Sequence, residues 1–180
     1  MLDTSPRYLL YHRGMTSTYR MYQQFAARPL GKRAFSLAYM LKAPYFASVR
    51  PQVLEMAPHR AVVQIRKRRA VQNHIGTVHA LAVGNGLEAA MGLLAEATLP
   101  EGTRWIPKGI RLDYVAKVPG DVRCLAETDP ADWEQPLPCE VPVRVTAHLR
   151  DGTEVVRGVI PPVALGGQAL NALQGRRRTG

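Results

Sequence analysis

Apolar and polar positions alternate between His59 and Arg69, and alternate again from Trp105 to Val118. A period of two predicts strands. The segment between them, Leu81–Thr98, is almost wholly Ala, Leu, Gly, Val and Met, interrupted by Asn85, Glu88 and Glu96. A helix of about 20 such residues runs roughly 30 Å. Apolar side chains nearly all round it predict burial on most sides. Gly84, Gly86 and Gly92 each cost about 1 kcal/mol of helix propensity relative to Ala, which predicts close approach of neighbouring backbone. The pattern therefore predicts an α+β fold, a strongly curved antiparallel sheet around one central helix.

Either side of this unit the pattern continues. Thr16–Arg28 reads as a helix capped by Thr16 or Ser17, and Lys32–Leu41 as a second helix ended by Pro44. Residues 1–44 are thus expected as a helical cover on a domain spanning 45–165. Strands are predicted at Pro51–Met56 and Ala61–Ile65, joined by Ala57-Pro58-His59. After the helix they are predicted at Trp105–Val118, Val122–Glu127, Val141–Leu149 and Thr153–Val159, with turns at Pro119-Gly120-Asp121 and Asp151-Gly152. Asp129–Pro138 reads as a long loop. Residues 166–180, with Gly166-Gly167 and Arg176–Arg178, are expected to be a frayed basic tail.

With 180 residues, 46% of them hydrophobic, the chain has room for a proper core. Cys124 and Cys139 lack metal spacing, and no secretory or membrane-spanning segment is recognised, so a reduced cytoplasmic protein is expected. The net charge of +10 invites an anionic partner. Its clusters are Arg66-Lys67-Arg68-Arg69 and the tail. In a strand the first run divides between two faces. Neither an aromatic platform nor a recognition helix accompanies these charges, so nucleic acid is not the expected partner.

Glu88 is the polar group that most demands a reason. Its helical neighbours at three, four and seven residues are Leu81, Gly84, Asn85, Met91, Gly92 and Ala95, none a cation. It is either part of a narrow solvent strip or a carboxylate in an apolar site, with raised pKa and the character of a base or nucleophile. His74 and His79 are five apart, a poor spacing for zinc, and no metal is expected.

Together, Ala43-Pro44-Tyr45-Phe46, Asn73-His74-x-Gly76-x-x-His79-Ala80 and Asn85-x-x-Glu88 resemble hotdog-fold acyl-CoA thioesterases. They are closest to an uncharacterised bacterial hotdog family labelled as thioesterases. The resemblance covers about residues 32–160. It implies hydrolysis of acyl-CoA thioesters without a cofactor. Glu88 would be base or nucleophile, the Ala80 backbone N–H would polarise the carbonyl, Asn73 would position substrate or water, and His79 would belong to the same catalytic group. His74, Gly76 and Asn85 would line the substrate, while Arg66, Arg68, Lys108 and Arg111 would meet the coenzyme's phosphates. The chain has Ala80-Leu81 where the relatives have paired glycines, and Ala89 and Gly92 where a Ser or Thr often follows the acid. A non-catalytic acyl-CoA or lipid-binding protein is the alternative.

Free N–H groups and the positive end of the dipole lie at the helix start, beside His79 and Ala80. Glu88 is about 12 Å further along the axis. One carbonyl carbon cannot touch both, so a homodimer is expected as the minimum unit, with a homotetramer beyond it.

Overall fold

The computed structural model describes residues 14–166; the expected tail segment from 167 on, with Arg176–Arg178, and residues 1–13 lie outside them. The chain opens with α1 (Ser17–Ala26) and α2 (Gly31–Lys42), followed by a short 3-10 turn, Pro44–Ser48. Thr16 caps α1 by accepting the Tyr19 N–H at 3.2 Å, and its hydroxyl donates to the Glu96 carbonyl at 2.6 Å. Tyr22, Phe35 and Tyr39 from these helices are buried in the same core as the sheet and the central helix.

The main sheet has six strands, all antiparallel to their neighbours. They are β1 (Gln52–Ala57), β2 (Arg60–Ile65), β4 (Arg111–Tyr114), β5 (Val122–Glu127), β7 (Val143–Leu149) and β8 (Glu154–Ile160). Their order is β1-β2-β5-β7-β8-β4, so the chain crosses the whole sheet between β2 and β4. The crossing is made by α3 (Ala80–Thr98), the predicted central helix. Inward residues of β2, β5 and β7 alternate with exposed or half-buried ones, and Val63, Ile65, Cys124, Val145 and Ala147 pack beneath α3. The architecture is the expected curved antiparallel sheet around one helix.

Two of the three helix glycines are closely packed, although against side chains and not against the neighbouring backbone that was expected. A Cβ on Gly86 would lie 2.7 Å from Cys124 Sγ and Ile65 Cγ1, and one on Gly92 would lie 2.8 Å from Trp105 Cη2. Gly84 differs, since a Cβ there would make ordinary 3.5 Å contacts with Leu112 and Tyr114.

The strand forecast needs three corrections. Trp105–Val118 is not one strand but two, because the chain leaves one sheet at Pro107-Lys108-Gly109 and enters another. β3 (Arg104–Pro107) pairs with β9 (Pro162–Leu165), which pairs with β6 (Cys139–Glu140), forming a separate three-stranded sheet. β6 and β9 were not foreseen. The basic run is also not in a strand: β2 ends at Ile65, where the Asp121 carboxylate turns the chain by accepting from Lys67 N–H at 2.8 Å and Gln64 at 2.9 Å. Arg66, Lys67 and Arg68 follow as irregular backbone before a 3-10 turn, Arg69–Val71.

Candidate active site

The segment leading into α3 is a tight hairpin organised by one amide. Asn73 Oδ1 accepts from the Ile75 and Thr77 backbone N–H groups, each at 3.1 Å, and Asn73 Nδ2 donates to Thr77 Oγ1 at 2.9 Å. Its backbone N–H donates to the Thr77 carbonyl at 2.9 Å, and its carbonyl accepts from Gly76 N–H at 3.1 Å. Gly76 has φ 76°, a left-handed conformation that glycine adopts without steric cost. Asn73 is therefore engaged with its own loop, and His74 is exposed at the tip.

Two anchors pass this geometry on to the helix. The Val78 N–H donates to Val118 O at 2.9 Å, and the His79 N–H donates to Val71 O at 2.8 Å. His79 is the N-cap of α3, with extended backbone, and its Nδ1 accepts from Leu81 N–H at 3.1 Å. That bond leaves the ring's other nitrogen, Nε2, to carry a proton and face outward. The next residue, Ala80, is exposed, and its N–H has no acceptor among the described residues. A free, solvent-facing donor thus stands at the positive end of a 19-residue helix.

Glu88 lies two turns along α3 and is half-buried. No described side chain hydrogen-bonds its carboxylate or pairs with its charge. Burial pushes its pKa up from the ordinary carboxylate range. One turn before it, Gly84 lies under Leu112 and Tyr114; one turn after it, Gly92 lies under Trp105, with the Tyr39 hydroxyl nearby. The Tyr39 phenol is pushed well up, by burial first and by the Glu88 charge second. The carboxylate thus sits in a gap between two covered glycines.

Two tyrosines join this region that periodicity alone did not single out. The Tyr45 hydroxyl accepts from Asn85 Nδ2 at 3.3 Å, and the Tyr114 hydroxyl donates to the Ala80 carbonyl at 3.2 Å. Tyr45 stands inside the motif stretch that begins at Ala43, which was the available signal; Tyr114 had only its place on a strand.

The basic residues divide. Arg68 donates to the Ser48 carbonyl at 2.5 Å, and Lys108 pairs with Glu140 on the small sheet. Arg66 and Arg111 are exposed and have no ion-pair partner among the described residues. Also among the described residues, no cluster of His, Cys, Asp and Glu could hold a metal, and no helix is long and apolar enough to cross a membrane.

A family model described as a domain of unknown function, DUF4442, matches residues 31–162. The chain belongs to that family. This DUF4442 chain is 38% identical to a structural-genomics crystal structure, target APC5556, with a TM-score of 0.72 over 82% of this chain and 97% of that one. A thioesterase-family protein from Silicibacter pomeroyi is 20% identical, with a TM-score of 0.62 over 73% of this chain and 96% of its own. A Haemophilus influenzae thioesterase is 9% identical, with a TM-score of 0.60 over 68% and 83%. These neighbours are hotdog proteins, and the DUF4442 chain has their fold. No curated protein matches it.

Proposed function

We propose that the protein hydrolyses acyl-CoA thioesters, releasing the free acid and coenzyme A. The observation that carries this reading is a half-buried Glu88 of raised pKa, without a charge partner among the described residues, on the same helix as the Ala80 N–H that none of them accepts from. The names of the solved neighbours, thioesterases from two organisms, support thioester chemistry in general.

The chemistry follows from those two groups. The thioester oxygen takes a hydrogen bond from the Ala80 N–H, where the helix dipole stabilises developing negative charge. Glu88 removes a proton from water as the water oxygen bonds to the carbonyl carbon. When the tetrahedral intermediate collapses, the carbon–sulfur bond breaks and the protonated Glu88 returns its proton to the leaving thiolate. Direct attack by the carboxylate is the nucleophilic variant of the same step. Asn73 acts by holding the hairpin that aims His79 and Ala80, while Asn85 and Tyr45 lie one turn from Glu88 on the substrate side. Arg66 and Arg111, exposed and without an ion pair among the described residues, are groups available for coenzyme phosphates.

Ala80 and Glu88 remain about 12 Å apart along the axis. The working site therefore pairs Glu88 of one subunit with Ala80 of the partner subunit, in a homodimer that can pair again into a homotetramer. The second reading, acyl-CoA binding without turnover, is favoured by the absence of a hydroxyl at Ala89 or Gly92. Thiol release from acyl-CoAs of graded chain length separates the two. Turnover that collapses in Glu88→Gln supports hydrolysis, whereas tight binding with no thiol release in the unaltered protein supports the second reading.

A further inference from the structure

The outer face of α2 is left uncovered by the described residues. Phe35, Ser36 and Tyr39 turn inward and are buried. On the opposite side Leu30, Ala34, Leu37 and Leu41 recur at the spacing of successive helical turns and form one stripe. All four are exposed, Leu30 by 71%, Leu37 by 59% and Leu41 by 77%. Exposed leucines scattered singly need no explanation, whereas an aligned row marks a surface that meets something. A helix apolar on both faces is ordinarily covered on both.

Leu30 adds a separate observation. It is the N-cap of α2 with φ 59°, a left-handed backbone that glycine or asparagine adopts more readily. Its side chain makes no capping hydrogen bond, so what it supplies there is apolar surface facing outward.

The charge around the stripe selects the partner. Between Asp3 and Glu55 the sequence contains no acid, while Arg20, Arg28, Lys32, Arg33, Lys42 and Arg50 all fall there. Arg20 pairs with Glu101, and Lys32 and Lys42 donate to Leu54 O and Thr18 Oγ1. Arg28 and Arg33 are exposed and have no ion pair among the described residues. Arg28 stands two residues before Leu30, and Arg33 lies one turn from both Leu30 and Leu37. An apolar strip edged by cations complements a surface that is anionic on top and apolar beneath, which is an anionic bilayer. A second copy fits less well, because a two-fold contact through this face would bring its cations against their own counterparts. With 12 residues α2 is too short to span a bilayer, so it would lie in the interface plane.

We propose that α2 docks the protein on an anionic lipid surface, with Leu30, Leu37 and Leu41 set into the acyl boundary and Arg28 and Arg33 among the headgroup phosphates. This docking face does not depend on the Glu88 chemistry.

The full chain is sedimented with vesicles of phosphatidylcholine alone or mixed with phosphatidylglycerol. The expected result is saturable binding to the mixed vesicles, much weaker binding to phosphatidylcholine alone, and release as salt rises. Leu37→Ser with Leu41→Ser should weaken binding by more than about tenfold, since two leucines lose their apolar contact. Arg28→Gln with Arg33→Gln should weaken binding to the mixed vesicles by about tenfold. All four positions are exposed, so circular dichroism and the subunit count by light scattering should match the parent in both variants. Failure to bind the mixed vesicles, or equal binding to both kinds, would overturn the proposal. Undiminished binding of the leucine variant would assign the affinity to charge elsewhere, and a lowered subunit count in that variant would give the face to a second copy; either result overturns it too.

Discussion

The two edges of the six-stranded sheet are finished in opposite ways. At the β1 edge, α2 closes the strand: Ser36 Oγ accepts from the buried Val53 N–H at 2.8 Å and Lys32 Nζ donates to the Leu54 carbonyl at 2.7 Å. At the β4 edge no described element pairs with the strand; Arg111, Asp113 and Tyr114 on it are exposed, and so are the apolar residues that flank it, Ile110 at 51% and Val115 at 45%. An open edge is a liability that folded proteins blunt with charges such as those of Arg111 and Asp113, while the apolar residues beside them remain available for association. Covering one edge with a helix and leaving the other unpaired fits the dimer proposed above, in which the second edge would meet another copy. The bare edge is also tied to the candidate site, because Tyr114 on it bonds the Ala80 carbonyl at the start of α3.

The sharpest way to break this contrast is to charge the open edge. Ile110→Lys with Val115→Lys should convert the proposed dimer to a folded monomer by light scattering. Thiol release should then fall by more than about 100-fold, since the proposed site draws on a second subunit. A monomer with full activity would refute the shared site. Next in size, Glu88→Gln should lower turnover by about 100-fold while the dimer and the fold persist. Ser36→Ala addresses the closed edge. Stranding the buried Val53 N–H should cost about 1–3 kcal/mol in denaturant unfolding, with the subunit count unchanged. An effect on assembly instead would erase the distinction between the edges.

The smallest effect is the dependence on pH. The folded pKa of Glu88 is raised, so the native state binds its proton more tightly than the unfolded chain does. Its contribution is therefore fully present below the unfolded carboxylate pKa and lost as pH rises through the folded one. Glu88→Gln should be relatively more stable than the parent at neutral pH, and the gap should close in acid. The same shift should place the acid limb of the activity profile above the ordinary carboxylate range, where a base must ionise. Parallel stability curves for the two proteins, or an acid limb at the ordinary carboxylate value, would remove the argument for burial.

The central helix was legible because its composition has no other stable use, and the alternating runs of β2, β5 and β7 were legible for the same reason. The β3–β4 break was not. Alternation persists across Pro107-Lys108-Gly109, and a period of two does not say which sheet a residue joins. β9 was hidden by Pro161-Pro162, which reads as a strand breaker, although a proline can stand first in a strand. In the site, the helix start and Glu88 followed from spacing and dipole. The attachment of Asn73 to Thr77 is local, yet it depends on a hairpin closing. Those of Tyr45 to Asn85 and Tyr114 to Ala80 span 40 and 34 residues, beyond what spacing can show.

Gly86 has a consequence for how finely the chemistry can be set. With Ile65 and Cys124 pressed against its bare Cα, the height of α3 above the sheet is fixed by main chain resting on side chains. Ala80 and Glu88 ride on that helix, so their elevation is a property of the sheet beneath and not of the loops around them. A methyl added at Gly86 would act as a shim. It would lift both groups together, preserving their spacing within a subunit while misaligning each with its opposite number across the proposed dimer.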